Sequence, residues 1–286
     1  MDLVQISFPI LGDNFIINPP RYIVVFGFNI YLYGMIIALG FMLAGVYMHK
    51  RHKLFGLTQD NVLDMVMLAV PSGIIGARLY YIIFNSADYF GAGKWHNIFL
   101  LRQGGLAVYG GVIGGAIAYS VYSRIKKTPL GDMLDCASFG LFIGQAIGRW
   151  GNFFNREGFG EVTELPWRMG LKASADFVYV HPTFLYESFW NSIGLLIMHM
   201  ISKRTERKYR GQYFLMYVAW YGLGRFFIEG LRTDSLYIGN TGIRVSQLLA
   251  ALSFVSAISL LVRNRLRGIR SLDISTIREQ EEVTNQ

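Results

Sequence analysis

The densest chemistry in the chain lies in G-R-W-G-N-F-F-N-R-E-G-F-G, from Gly148 to Gly160. This stretch closes an apolar run that begins near Cys136, so Arg149 falls inside or at the edge of hydrocarbon if that run spans a membrane. A guanidinium at the centre of a membrane helix costs about 2.5–3.5 kcal/mol on insertion scales, and such a residue marks a functional site until a partner accounts for it. Asn152 and Asn155 follow at steps of three, so a continuing helix stacks all three on one face. That face offers a permanent, forked donor beside two amides, a set that suits the planar oxygens of a phosphate or carboxylate. Gly148, Gly151, Gly158 and Gly160 leave room for a ligand or helix to come close to the backbone.

Three further constellations carry reactive groups. In Y-G-L-G-R-F-F-I-E-G-L-R, Tyr221, Arg225, Glu229 and Arg232 are spaced at i, i+4, i+8 and i+11 and form one helical stripe. An Arg225–Glu229 ion pair that merely eases burial is the other reading of that stripe. In Q-G-G-L-A-V-Y-G-G-V-I-G-G, from Gln103, close helix packing explains most of the glycines, Gly105 among them, and Tyr109 is the one reactive side chain. In H-P-T-F-L-Y-E, Pro182 opens a helix with His181 as its cap, and Glu187 follows one turn into the membrane, where an unpaired carboxylate is costly. Arg78 in G-A-R-L-Y-Y is a lone arginine near a span end, with snorkelling to the interface as its alternative. Asp135 reads as a structural contact.

The elements that must position these residues are membrane helices. Hydrophobic residues make up 52% of the 286 and charged ones only 16%, with a mean hydropathy of +0.34. A soluble domain carries about a quarter charged residues. The apolar residues fall in blocks as long as a bilayer is thick, so the fold class is an all-α polytopic membrane protein with about seven transmembrane helices. The spans run near 26–48, 62–84 (with Pro71-Ser72-Gly73 as a kink), 105–122, 133–154, 183–201, 213–230 and 245–262. An amphipathic arm, residues 1–22, precedes them and lies on the membrane surface. A polar and aromatic loop over 155–182 is the largest extramembrane piece, and a basic tail, residues 263–286, closes the chain. No basic region precedes the first apolar block, so no cleaved signal peptide is expected. One cysteine and five scattered histidines provide neither a disulfide framework nor a metal spacing, and no cofactor is expected.

Lysine and arginine cluster after spans one, three, five and seven, which puts those ends in the cytoplasm, the N-terminus outside and the C-terminus inside. The net charge of +8 is then a topology signal and a match to anionic lipid, not a nucleic-acid surface. Spans two, four and six run outward, so Arg78, Arg149 and Arg225 all sit in the outer half of the membrane. Tyr33, Gln103, Tyr109 and Glu187 lie at the same level. Buried arginines gathered with tyrosines, amides and carboxylates on one leaflet point to an anionic ligand taken from that leaflet, a phospholipid headgroup.

These residues also carry a resemblance. The complete G-R-x-G-N-F-x-N-x-E-x-x-G stretch, the Y-G of span one, G-A-R-L-Y-Y, Q-G-G-L-A-x-Y-G-G, H-P-T-x-L-Y-E and Y-G-x-x-R-F-x-x-E-x-x-R occur here in the order seen in prolipoprotein diacylglyceryl transferases. The chain is similar to that family over nearly its whole length. The resemblance implies a seven-span enzyme of the bacterial cytoplasmic membrane that transfers diacylglyceryl from phosphatidylglycerol to the lipobox cysteine of a preprolipoprotein signal peptide. A thioether forms and glycerol phosphate is released on the outer side. Arg149 and Arg225 match the family's essential arginines and read as phosphate clamps. Asn152, Asn155, Glu157 and Gly160 match the rest of the signature and orient the headgroup, while Tyr33, Glu229 and Arg232 match further positions lining the site.

The chain departs from part of the family at Tyr109, where some relatives carry a histidine regarded as the base. A tyrosine, whose phenol ordinarily titrates at about 10, is a poor base near neutrality. The base is then Glu157, Glu187 or His181, or the arginine field alone lowers the thiol pKa and Tyr109 orients lipid. A transporter or lipid scramblase binding anionic lipid is the rival reading, and a membrane scaffold a third. Charge gathered on one leaflet, without internal repeats, counts against alternating access. A scaffold needs no intramembrane arginines beside amides.

Overall fold

The computed structural model describes residues 5–12, 14–90, 94–100, 104–172, 176–239 and 241–269. Gln103 and most of the basic tail lie outside these residues. The structure is mostly helical: α1 (Leu32–Arg51), α2 (Gln59–Phe84), α3 (Ser86–Phe90), α4 (Val108–Lys126), α5 (Leu130–Asn155), α6 (Thr183–Arg204), α7 (Gln212–Glu229) and α8 (Val245–Leu266). The first span, to Phe55, together with α2 and α8, is long and apolar enough to cross a membrane by length and composition alone. The described residues divide into two compact units, one drawn from Met1–Tyr47 with Ala137–Gln286, the other from Met48–Cys136.

The membrane-flanking segments are not all-α. In the first unit β1 (Ile6–Ser7) pairs antiparallel with β2 (Ile16–Ile17) and with β5 (Met169–Lys172), and β6 (Phe177–Val180) pairs with β5. The expected N-terminal arm thus supplies two strands to a four-stranded sheet. A hairpin of β3 (Tyr22–Val25) and β4 (Phe28–Tyr31) occupies what read as the start of the first span, so α1 begins only at Leu32. Its Tyr, Ile and Val residues suit a pleated surface, and Phe26 and Gly27, both at positive φ, make its turn. Ile6, Phe153, Met169, Leu171, Val180 and Phe184 form a buried cluster that seats the sheet on the end of α5 and the start of α6.

Within the second unit α2 begins with a reciprocal cap: Asn61 N–H donates to Thr58 Oγ1 (3.1 Å) and Thr58 N–H to Asn61 Oδ1 (3.0 Å). The helix continues through Pro71, and Ser72 Oγ donates back to the Leu68 carbonyl (2.6 Å). Helix α4 crosses α2 at backbone contact, since a Cβ on Gly110 would lie 2.3 Å from the Gly76 carbonyl oxygen.

Helices α6 and α7 in the first unit are locked by two tryptophans. Trp190 Nε1 donates to the Trp220 carbonyl and Trp220 Nε1 to the Trp190 carbonyl, each at 2.8 Å, with the rings stacked at 4.5 Å. Gly224 makes the fit possible, because a Cβ there would stand 2.2 Å from Trp190 Nε1. Overpacking of this kind costs about 1–3 kcal/mol, so Gly224→Ala is expected to lower the unfolding midpoint in detergent and to reduce activity with it. An unchanged midpoint would mean the lock does not set the α6–α7 register.

Candidate active site

One turn from the tryptophan lock, Glu187 of α6 is 3% exposed and lies between two arginines. Its carboxylate pairs with Arg149 Nε of α5 through one oxygen and with Arg225 NH1 of α7 through the other. Arg225 also pairs through NH2 with Glu229 Oε2 at 2.5 Å, the ion pair that the i+4 spacing offers. Glu229 is 2% exposed, and its other oxygen accepts from Ser235 Oγ (2.9 Å). Charges therefore alternate, Arg149, Glu187, Arg225, Glu229, and each of the two buried carboxylates faces a half-buried guanidinium.

The signature stretch continues the network toward the C-terminal end of α5. Arg149 NH1 donates to Asn152 Oδ1 (3.2 Å), and Asn152 Nδ2 donates to Glu157 Oε1 (3.0 Å), which also accepts from Asn155 Nδ2 (3.3 Å). Asn152, accepting on one side and donating on the other, fixes the separation between a guanidinium and a carboxylate. Glu157 is exposed, and its Oε2 has no hydrogen-bond partner among the described residues. Tyr33, in the first turn of α1, lies against Gly151, where a Cβ would stand 2.6 Å from its ring. Tyr221, one turn before Arg225, is half-buried and stacks on Tyr217.

Loop contacts close the far end. Gly160 N–H donates to the His181 carbonyl (2.9 Å), and Glu161 N–H to the Leu231 carbonyl (2.8 Å), which ties the stretch to both α6 and α7. Arg232 donates to both oxygens of Asp234, from Nε at 2.9 Å and NH2 at 2.6 Å, and those bonds hold the Asp234 carboxyl below the usual carboxylate range. It stands 4.0 Å from Glu229, so its fork is committed to the loop. Arg244, which no motif in the sequence marks out, donates to the Glu229 carbonyl (2.5 Å) and to Glu161 Oε1 (3.3 Å). His181 does not cap α6. Pro182 holds that position without a side-chain bond, because the imidazole turns to the Tyr186 hydroxyl at 3.2 Å.

The other predicted residues belong to the second unit. Arg78 is buried and does not snorkel: it donates to the carbonyls of Asn97 (2.5 Å), Ile98 (3.0 Å), Gly104 (2.7 Å) and Gly105 (3.0 Å). The guanidinium staples the chain ahead of α4 in place and has little left to offer a ligand. Gly105 fits beneath it, at positive φ, where a Cβ would lie 2.5 Å from Arg78 NH1. Tyr109 is half-buried in the first turn of α4. Among the described residues no group of three or more His, Cys, Asp and Glu side chains is placed to hold a metal ion.

Two charge-rich features, the paired guanidiniums of Arg149 and Arg225 and the open oxygen of Glu157, define what the site can do. The two forks already hold one anion between them, the Glu187 carboxylate, and the exposed Glu157 carboxylate stands one amide away from Arg149. A family model described as prolipoprotein diacylglyceryl transferase matches residues 20–263. The chain is similar to the phosphatidylglycerol–prolipoprotein diacylglyceryl transferase of Clostridioides difficile, 42% identical over 234 residues, 82% of this chain and 90% of that protein. It is similar to the enzyme of the same name in Enterococcus faecalis, 41% identical over 250 residues, 84% of this chain and 88% of that protein. The corresponding protein of Clostridium novyi is 39% identical over 250 residues, 85% of this chain and 95% of its own length.

Proposed function

The chain belongs to the prolipoprotein diacylglyceryl transferase family, and from that premise we propose that Arg149 and Arg225 clamp the phosphate of phosphatidylglycerol while the thiol of a lipobox cysteine displaces it. It is a bacterial membrane transferase of lipoprotein maturation, with phosphatidylglycerol and prolipoprotein as substrates. The observation that carries the clamp is the pairing of both guanidiniums to one buried carboxylate from different helices.

The sulfur attacks the terminal glycerol carbon that bears the phosphate, the carbon–oxygen bond breaks, and glycerol phosphate leaves with the bonding pair. Charge on the leaving oxygens grows along this path, so two forked cations stabilise the transition state more than the ground state. The thiol proton goes to Glu157 Oε2. Of the three candidate bases, Glu187 is engaged by two arginines and His181 faces Tyr186, whereas Glu157 keeps an oxygen open next to the clamp. Asn152 and Asn155 aim Glu157, and Tyr33, Tyr221, Glu229, Arg232 and Gly160 frame the headgroup. Arg78 acts as a staple that holds the Gly104-Gly105 segment ahead of α4.

The seven long helices all span the cytoplasmic membrane in this reading, with the site facing the outer leaflet. Basic residues in the last turns of α1, α4, α6 and α8 support it, since these ends share one side in an alternating path. Peptide-dependent release of glycerol phosphate from phosphatidylglycerol tests the reaction, and release without peptide would make the protein a lipase instead. Tyr109→Phe is expected to hold its rate within about tenfold, whereas Glu157→Gln loses on the order of 10²-fold or more, the share of a general base. The reverse ranking would return Tyr109 to the chemistry.

A further inference from the structure

At the opposite end of the helices from the active site, the start of α7 and the end of α8 frame a cavity of about 590 Å³. Lys208 and Arg265 line it, and neither has a carboxylate partner among the described residues. Leu261 and Val262 supply an apolar wall. Asn264 Oδ1 is buried there with no hydrogen-bond partner among the described residues, although an unpaired buried carbonyl is costly. Gln212, the first residue of α7, holds the Lys208 segment in place by accepting its backbone N–H at 2.7 Å.

The two helix ends give the cavity a direction. The α7 N-terminus, beside Lys208, is the positive end of its dipole, and the α8 C-terminus, beside Asn264, is the negative end of its own. A ligand that fits carries an anion on one side, a hydrogen-bond donor on the other, and an apolar body. We propose that this cavity binds a glycerophospholipid of the cytoplasmic leaflet whose headgroup extends a hydroxyl or ammonium donor beyond the phosphate. The phosphate lies between Lys208 and Arg265, an acyl chain runs along Leu261 and Val262, and the donor meets Asn264 Oδ1 once that half-buried side chain turns into the cavity. Basic pockets between helices on the cytoplasmic side are a recurrent form of lipid site. None of these residues belongs to the transfer machinery, so the site is a second lipid site and not an extension of the first.

The test uses the full chain in detergent with phosphatidylethanolamine as probe, because it carries phosphate and ammonium and is not the substrate proposed above. The wild-type unfolding midpoint is expected to rise by roughly 2–4 °C at saturating lipid and by less with phosphatidic acid, which lacks the donor. The Lys208→Gln/Arg265→Gln double variant loses the rise while keeping its transfer activity, and Asn264→Leu responds alike to the two lipids. Equal rises in wild type and double variant would overturn the proposal, as would no rise in wild type. A rise of the same size with glycerophosphoethanolamine, the headgroup without chains, would assign the cavity to a soluble phosphate ester and overturn the lipid assignment.

Discussion

Glu187→Leu is expected to destabilise the protein more than any other single change at the site, by about 3 kcal/mol, the low end for a broken buried pair, because it leaves two half-buried guanidiniums without their shared counter-ion. Among the described residues Arg149 would keep its bond to Asn152 and Arg225 its pair with Glu229. Glu187→Gln keeps the shape and one acceptor, so its midpoint should fall between those of wild type and the leucine variant. Thermal unfolding of the three proteins in one detergent reads the order directly. A leucine variant as stable as wild type would show that the arginines reach other partners, and that the alternating chain of charges does not hold α5, α6 and α7 together.

The second large effect falls on catalysis. Arg225→Ala is expected to lower kcat/KM for phosphatidylglycerol by at least about 10²–10³-fold, the cost of removing one preorganised donor from a developing oxyanion. Arg225→Lys should recover little of it. The guanidinium meets Glu187 through NH1 and Glu229 through NH2, and a single ammonium cannot present two donors at that separation. Steady-state rates of both variants check this. A lysine enzyme close to wild type would reduce Arg225 to a source of charge without geometry.

Much of this architecture is legible before any coordinates. Helices α6 and α8 begin at Thr183 and Val245, where the apolar blocks begin, and each ends in basic residues, while α8 is also long and apolar enough to cross a membrane. Helical spacing likewise brought Arg149 and Asn152 to one face, and they bond. The strands were hidden for a physical reason. Ile6 and Ser7 pair with Leu171 and Gly170, and two-residue strands joined across so much chain leave no local period to read. Partnerships between helices were hidden too: spacing within α7 predicts Arg225–Glu229, but nothing in the sequence says that Glu187 of α6 also reaches Arg225 and Arg149. His181 and Arg78 show the same limit. Each has an ordinary local role by sequence, a cap and a snorkelling charge, but His181 meets the Tyr186 hydroxyl in α6 and Arg78 the carbonyls ahead of α4.

The central claim is that an arginine clamp in this membrane protein moves a glycerolipid onto a thiol. Its most direct measurement is transfer of labelled diacylglyceryl from phosphatidylglycerol to a lipobox peptide, with wild type beside Arg149→Ala and with the cysteine peptide beside its serine counterpart. Labelled product is expected only from wild type with the cysteine peptide. Product from folded Arg149→Ala, or equal labelling of the serine peptide, would contradict it.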